Sequence, residues 1–135
     1  QLNGLRNASG IDSFKFDAGE VLFLTERFSL FNESVSPNQY SSSYARMASR
    51  LGNMIEVRTG SRTQELPIFV RMLDKDSNWE IETNGLKSVL TTSLVMSILG
   101  YNYILPDMIG GNAYAGTHPD DELFIRWTQV SFFLL

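Results

Sequence analysis

Residues 67–74 read Pro-Ile-Phe-Val-Arg-Met-Leu-Asp, and this apolar, β-branched run predicts a strand that leads into Asp74. After it, the spacing of apolar residues over 85–99 predicts a helix. Residues 102–106, Asn-Tyr-Ile-Leu-Pro, then predict a second strand that ends at Asp107. A strand, a helix and a second strand in this order are typical of the unit that builds parallel sheets. The centre of the chain therefore predicts an α/β fold.

The helix over 85–99 overlaps the longest uncharged stretch, residues 88–106, which raises the question of a membrane span. Six polar residues interrupt that stretch: Ser88, Thr91, Thr92, Ser93, Ser97 and Asn102. The apolar residues at helical spacing share one face: Leu86, Val89, Leu90, Leu94 and Ile98. We therefore expect a core-facing helix that ends at Gly100, and no membrane contact from this segment.

Two shorter strands are predicted before this unit. Residues 11–17 alternate aromatic and polar side chains and end at Asp17, whereas residues 54–58 are β-branched and end at Arg58. Residues 21–31 are apolar without a clean period, so we expect a mixture of loop and short helix there.

Two more helices complete the predicted order. Residues 37–51 carry aromatic and apolar side chains at steps of three and four, with Ser36 as N-cap and Gly52 as the stop. The acids of residues 120–122 mark the start of a last helix, in which Leu123, Phe124, Trp127 and Val130 recur at helical spacing.

The predicted order is strand, helix, strand, strand, helix, strand, helix, which indicates α/β with a largely parallel sheet. One interval is unusual, because residues 59–66 are too few for the helical crossover that normally joins parallel strands.

Charged side chains follow the predicted strands at Asp17, Arg58, Asp74 and Asp107. In a (β/α)8 barrel the chemistry is assembled at the C-terminal ends of several strands. Two carboxylates such as Asp17 and Asp74 suit glycoside hydrolysis, where one group attacks or stabilises the anomeric carbon and the other donates a proton to the leaving oxygen. The alternative is that each aspartate is an ordinary loop residue or helix cap.

The basic residues and Asp107 also have two interpretations each. Arg58 and Arg71 are either surface ends of strands or guanidinium groups that hold sugar hydroxyls or a carboxylate; the apolar run around Arg71 favours a buried pairing role there. Asp107, before Gly110-Gly111, either accepts hydrogen bonds from sugar hydroxyls or lies in a glycine-rich turn. Lys15 is either a donor to a substrate hydroxyl or a solvated lysine.

The composition excludes several other kinds of protein. The 135 residues are 43% apolar and 19% charged, which excludes a disordered segment, and 11 basic against 15 acidic residues without a basic cluster argue against nucleic-acid binding. His118 is the only histidine and cysteine is absent, which leaves little for a metal site or a histidine-centred triad. No phosphate-binding fingerprint is present, so we expect no cofactor and no metal.

Four segments in order resemble motifs of glycoside hydrolase family 31. Residues 10–20, with Glu three positions after Asp17, resemble the nucleophile motif, and residues 74–79, with Trp five positions after Asp74, resemble the acid/base segment. Residues 105–112 are similar to the family's sugar-binding Asp-x-x-Gly-Gly motif, and residues 122–127 to the Glu-Leu-x-x-Arg-Trp that follows it.

The resemblance implies a role for each site residue. Asp17 would be the nucleophile, Asp74 the general acid and base, and Arg58 and Asp107 ligands of the sugar ring. Lys15 stands where common α-glucosidases of the family have Trp, and Leu73 stands where they have Gly. Both departures indicate a subgroup that is α-galactosidase-like, with α-glucosidase or a catalytically silent glycan- or protein-binding relative as alternatives.

The resemblance also implies that residues 1–135 are a fragment of one catalytic (β/α)8 TIM barrel, about four of its eight strands, and inactive alone. Relatives act in the secretory pathway lumen or outside the cell, anchored through an N-terminal segment. Two acceptor patterns for N-glycosylation, at Asn7 and Asn32, agree weakly with that setting. The expected partner is an α-glycoside; the oligomeric state is left open.

Overall fold

The computed structural model describes residues 1–29 and 36–134, and it shows an α/β chain with a parallel sheet in the order β1-β2-β3-β4. Its strands are β1 (Lys15–Phe16), β2 (Glu56–Val57), β3 (Phe69–Arg71) and β4 (Ile104–Leu105). The α-helices in the described residues are α1 (Leu2–Ser9), α2 (Asn38–Ser49), α3 (Leu86–Ile98) and α4 (Asp121–Phe132). The predicted α/β class is therefore confirmed, and the sheet is consistent with part of a barrel.

Each strand is shorter than the extended run that predicted it. In the register, Lys15 pairs with Glu56 across β1 and β2, and Glu56 pairs with Phe69 across β2 and β3. The Met72 amide donates to the Leu105 carbonyl at 2.9 Å between β3 and β4. The predicted apolar runs extend beyond the residues that pair, because a ladder lasts only as long as the neighbouring backbone stays alongside.

The connection between β2 and β3 contains no helix, as its length predicted. Residues 58–68 form a loop that lies on α2: Ser42 Oγ donates to the Ser61 carbonyl, and Arg46 Nη2 donates to the Arg62 carbonyl at 3.0 Å. Thr63 of this loop is buried. Side-chain bonds from α2 thus hold the loop that joins this pair of parallel strands.

The chain divides into two compact units, Gln1–Val70 and Arg71–Leu135. In the first unit, the buried face of α2 consists of small residues: Ser41, Ser42, Ala45 and Ala48. The strand residues Ile55, Val57 and Ile68 are buried in the same unit. The helix is confirmed near its predicted bounds. Its aromatic and apolar residues at helical spacing are only half-buried, however, and Met47 is exposed.

The core of the second unit is a cluster of buried residues from β3, α3, β4 and α4 and the segments next to them. Its members are Met72, Leu86, Val89, Ile104, Leu123 and Trp127. Trp127, one of the residues at helical spacing in α4, is fully buried. Trp79 packs against this cluster.

The predicted face of α3 is wrong in part. Leu86 and Val89 are buried as expected, but Leu90, Leu94 and Ile98 are exposed. Ser88 and Ser93 take the buried positions instead. Both buried hydroxyls have partners: Ser88 Oγ accepts a hydrogen bond from the Lys75 ammonium, and Ser93 Oγ donates to the Val89 carbonyl. Within the described residues no helix is both long and apolar enough to cross a membrane.

Helix α1 was not predicted. Gly10, at its C-terminus with φ 71°, and Arg6 in its last turn are the local signals that could have indicated it. In the 21–31 region the structure shows a 3-10 turn over Val21–Phe23, while residues 30 and 31 lie outside the described residues, as does the acceptor pattern at Asn32.

Candidate active site

In the first unit, an arginine joins two carboxylates beyond the ends of β1 and β2. Arg58 Nε lies 2.7 Å from Glu20 Oε1 and 3.2 Å from Asp17 Oδ1. The Arg58 and Glu20 side chains are each 13% exposed, whereas that of Asp17 is 66% exposed. The Arg58 guanidinium also lies 5.6 Å from the centre of the Phe23 ring, a cation–π contact. Asp17 is therefore the accessible carboxylate of this group, and Glu20 is the buried one that orients the arginine.

The backbone after Asp17 is held by α2. The Tyr44 hydroxyl donates to the Asp17 carbonyl, and Ser41 Oγ donates to the Gly19 carbonyl at 2.9 Å. Gly19 has φ 90°, and a Cβ there would lie 2.5 Å from the Tyr44 ring, so only glycine fits. Burial raises the pKa of the Tyr44 hydroxyl, with smaller contributions in the same direction from Tyr40, Asp17 and Glu20.

Lys15 lies on the exposed surface of β1. Its ammonium is 3.5 Å from Glu56 Oε1, the residue opposite it in the register. The Lys15 side chain is 57% exposed. It is thus accessible to a ligand, with a cross-strand acid as its partner.

In the second unit, the predicted pairing role of Arg71 is confirmed. This buried guanidinium donates from Nη1 to Asp107 Oδ1 at 2.8 Å and to the Met72 carbonyl at 2.8 Å. The same nitrogen lies 3.5 Å from Asp74 Oδ1. Because the Asp107 side chain is only 3% exposed, Arg71 and Asp107 form a buried ion pair at the end of the sheet.

Asp107 is bonded through both carboxylate oxygens. Its Oδ2 accepts from the Lys75 amide at 2.7 Å and from Asn112 Nδ2. The Asn112 amide donates to the Lys75 carbonyl at 2.8 Å. Each carboxylate oxygen has room for more than one donor, but in this structure Asp107 already joins the loop after β3 to the loop after β4.

Asp74 is more accessible, with its side chain 40% exposed. The Tyr114 hydroxyl donates to its Oδ2, while Arg71 lies near Oδ1. The Asn84 side-chain amide donates to the Asp74 carbonyl. Both oxygens of Asp74 thus have a donor close by, and the backbone is held as well.

Lys75 is the buried cation next to Asp74. Its ammonium donates to Asn84 Oδ1 and Ser88 Oγ, both at 2.9 Å, and to Thr92 Oγ1 at 3.4 Å. Burial lowers the pKa of Lys75, and Asp107 opposes that effect. The lysine therefore fastens the loop that begins at Asp74 onto α3.

The acids of residues 120–122, near His118, lie at the start of α4, as the sequence predicted. Asp120 Oδ1 accepts from the Leu123 amide at 2.8 Å and caps α4. In the part of the chain that the structure describes, no group of three acidic or histidine side chains could hold a metal ion.

The structure thus brings Asp17 and Arg58 together in the first unit, and Asp74 and Asp107 together, through Arg71, in the second. Lys15 instead pairs with Glu56. Sequence reasoning missed three partners of these groups, Lys75, Asn112 and Tyr114. Lys75 stands between two aspartates and looks solvated in the sequence, and Tyr114 is 40 positions from Asp74, so no local pattern joins them.

Carboxylate and arginine groups that follow successive parallel strands are typical of the functional end of a barrel-type α/β enzyme. No protein-family model matches the chain. It is 40% identical to the myogenesis-regulating glycosidase of Mus musculus over 141 aligned positions, 98% of this chain and 20% of that protein. It is 41% identical to the SITS-binding protein of Tetronarce californica over 97 positions, 72% of this chain and 14% of that protein.

The chain is therefore a relative of the myogenesis-regulating glycosidase and spans about a fifth of its length. This confirms the resemblance recognised from the four motifs.

Proposed function

We propose that this chain is part of a retaining α-glycosidase with α-galactosidase-like specificity, and that its partner is a carbohydrate substrate, an α-glycoside. The observation that carries the proposal is the match to a protein named as a glycosidase over 98% of the chain. The accessible carboxylates of Asp17 and Asp74, each beyond the end of a parallel strand and each beside an arginine, support it.

In the first step Asp17 attacks the anomeric carbon and forms a glycosyl-enzyme ester, while Asp74 gives a proton to the departing oxygen. In the second step Asp74 takes a proton from water, and that water displaces Asp17 with net retention of configuration. The route requires the two carboxyl groups to come within about 5 to 5.5 Å of each other in the whole protein.

Three residues are proposed to bind the sugar. The guanidinium of Arg58 is largely buried and lies against Glu20. It would donate hydrogen bonds to hydroxyls of the sugar ring. Asp107 would accept a hydrogen bond from a hydroxyl through the remaining acceptor position of Oδ1, because Oδ2 already accepts from the Lys75 amide and from Asn112. Lys15, on the accessible surface of β1, would donate to a hydroxyl.

We also propose the larger setting. A barrel of this kind has eight parallel strands. The described residues contain four parallel strands, and the chain spans 20% of the length of the myogenesis-regulating glycosidase. Residues 1–135 would then be a fragment of one catalytic barrel that acts in the secretory lumen or outside the cell, anchored through a segment elsewhere in the protein.

Labelling of the full-length protein with a cyclophellitol-type α-galactoside, followed by peptide mapping, tests the proposal. We expect covalent attachment at Asp17 and weaker labelling by the gluco-configured probe. Stronger labelling by the gluco probe would instead assign an α-glucosidase. Attachment at another residue, or none with any α-configured probe, would contradict the enzymatic proposal.

Two variants and a matched control sharpen this test. Asp17→Asn should abolish labelling, whereas Asp12→Asn, at an exposed aspartate of the same segment, should leave it unchanged. Asp74→Asn should slow the hydrolysis of substrates with poor leaving groups far more than that of activated aryl glycosides, because only the former need the proton.

A catalytically silent binding protein is the second candidate, since the other relative is named for binding and not for an enzymatic activity. The same experiment separates the two candidates. A silent relative would retain α-galactosides in equilibrium dialysis, and Arg58→Ala would weaken retention, but neither probe would modify Asp17.

A further inference from the structure

We propose that Tyr114 is a positioning residue for Asp74: its hydroxyl holds the carboxylate in place and sets the pH above which Asp74 gives up its proton. The inference rests on the proposed role of Asp74 as acid and base. Nothing in the sequence motifs pointed to Tyr114, which lies beyond the glycine-rich segment that follows β4.

The contact itself is direct. The Tyr114 hydroxyl donates to Asp74 Oδ2, the oxygen opposite the one that faces Arg71. A phenol can donate to either oxygen of an ionised carboxylate, and it can also donate to the carbonyl oxygen of a protonated one, which leaves the acid proton on the other oxygen. It can therefore stay bonded to Asp74 both before proton transfer, when Asp74 is the acid, and after it, when Asp74 is the base.

The backbone places the ring by contacts on either side. Ala113 has φ 51°, and its amide donates to Ser77 Oγ at 2.9 Å. On the other side, Thr117 Oγ1 donates to the Tyr114 carbonyl at 2.7 Å. The first bond ties the short 3-10 turn that carries Tyr114 to the loop that follows Asp74, and the second closes the turn itself.

Arg71 does not make Tyr114 redundant. Its Nη1 is 2.8 Å from Asp107 and 3.5 Å from Asp74, so its charge is matched first by the buried Asp107 carboxylate. Tyr114 and Arg71 therefore approach different oxygens of Asp74, Oδ2 and Oδ1 respectively.

Four other charged groups lie around the pair. Asp107 and Asp76 are close enough to raise the pKa of Tyr114, although the largest cause of that rise is the hydrogen bond to Asp74. Arg71 comes from β3, and the Lys75 ammonium is bonded to Asn84 and α3. In a tyrosine–carboxylate pair of this kind, a donor to the charged form favours that form.

The kinetic test is Tyr114→Phe in the full-length protein, with kcat/KM for an aryl α-galactoside measured across pH. Loss of the donor disfavours the ionised Asp74, so Asp74 keeps its proton to higher pH. The alkaline limb should therefore move up by about one pH unit, while the acid limb stays in place. Tyr103→Phe, at a tyrosine that is equally exposed (50% for each), should move neither limb. An unchanged alkaline limb in Tyr114→Phe would overturn the proposal even though the protein is an active glycosidase.

A second measurement does not depend on activity or on the stability of Tyr114→Phe. Full-length protein labelled with 3-fluorotyrosine would be titrated by 19F NMR, with and without Asp74→Asn. The Tyr114 signal should titrate at lower pH when the Asp74 charge is removed. If it titrates unchanged, the contact is not made and the proposal fails. If the protein has no glycosidase activity but the signal does move, only the proposed function fails.

Discussion

Two arginines organise the carboxylates of this chain, and their surroundings differ. Arg58 lies between Glu20, which is buried with it, and Asp17, which is open to solvent. Arg71 lies between Asp107, which is buried, and Asp74, which is partly open. In each unit the arginine thus has one inner acid close to it and one outer acid that is more exposed to solvent. This shared pattern of inner and outer acids is the main residue-level argument for a working site.

The buried pair of Arg71 and Asp107 leads to the first prediction. Asp107→Asn leaves the Arg71 charge without its nearest partner, so the free energy of unfolding should fall by about 3 kcal/mol. Urea unfolding of the 135-residue chain, followed by the fluorescence of Trp79 and Trp127, would measure it. Glu122→Gln removes an acid from an exposed pair, 3.8 Å from Arg126, and should have no measurable effect. Equal losses in the two variants would contradict the burial argument.

The second prediction concerns pH. Burial lowers the pKa of Lys75 below its ordinary value of 10.5, so the folded chain releases this proton at lower pH than the unfolded chain does. Between the lowered pKa and 10.5 the unfolded chain binds more protons, and rising pH favours the folded state. The unfolding free energy of the wild type, relative to Lys75→Met, should therefore increase with pH across that window.

Lys87 is the control for this experiment, because its pKa is raised by a hydrogen bond from its ammonium to Glu80. Relative to Lys87→Met, the wild type should lose stability as pH rises through the raised pKa. If the stability difference changed with pH in the same direction for both lysines, the effect would not come from the burial of Lys75.

At the scale of elements, the loops after β3 and β4 carry the second-unit site, and close packing holds them together. Gly111 has φ 81°, and a Cβ there would lie 2.6 Å from the backbone of Asp76 and Ser77. Asn112 and Asp107 then bond the same stretch through the backbone of Lys75. The two glycines before Asn112 therefore serve loop packing as well as the turn.

The third prediction follows from that packing. Gly111→Ala should lower the free energy of unfolding by about 3 kcal/mol, because it adds backbone overlap to the strain of a positive φ. Gly116→Ala, where φ is 79° and no atom lies within 4 Å of the new Cβ, should lower it by only about 1 kcal/mol. Urea unfolding of both variants is the measurement. Similar losses of unfolding free energy in the two variants would show that backbone overlap at Gly111 does not contribute.

Helix ends and strand positions were predictable from local chemistry, but strand lengths and one helix face were not. Helix α4 starts at the predicted acids, with Asp120 as its N-cap, and a turn at Gly52 follows α2, because caps and glycines act through their own backbone. The exposed Leu94 and the buried Ser88 of α3 reverse the expected pattern. The partner of Ser88 is the Lys75 ammonium, 13 positions before it, which no local pattern of α3 reveals.

At the scale of the whole molecule, the chain spans a fifth of the length of the myogenesis-regulating glycosidase. Large apolar side chains are exposed on α3 and α4. Leu94, Ile98, Phe132 and Phe133 are each more than half exposed. Under the proposed function, a sugar ring also needs contacts from strands that lie outside this chain.

The fourth prediction is that the 135-residue chain alone does not hydrolyse an aryl α-galactoside, whereas the full-length protein does. Liberated nitrophenol in a continuous assay measures both. Turnover by the isolated chain, abolished by Asp17→Asn, would show that these residues suffice for the chemistry.

The sequence by itself determined the α/β class, the parallel strands, the start of α4 and the relationship to a protein named as a glycosidase, because these follow from short-range pattern and from motif residues. Only the tertiary structure decided the partners: Arg71 with Asp107, Lys75 with α3, and Tyr114 with Asp74. Those contacts join residues 13 to 40 positions apart. A polar group that becomes buried needs a hydrogen-bond partner, and only the folded structure shows which side chain lies close enough to be that partner.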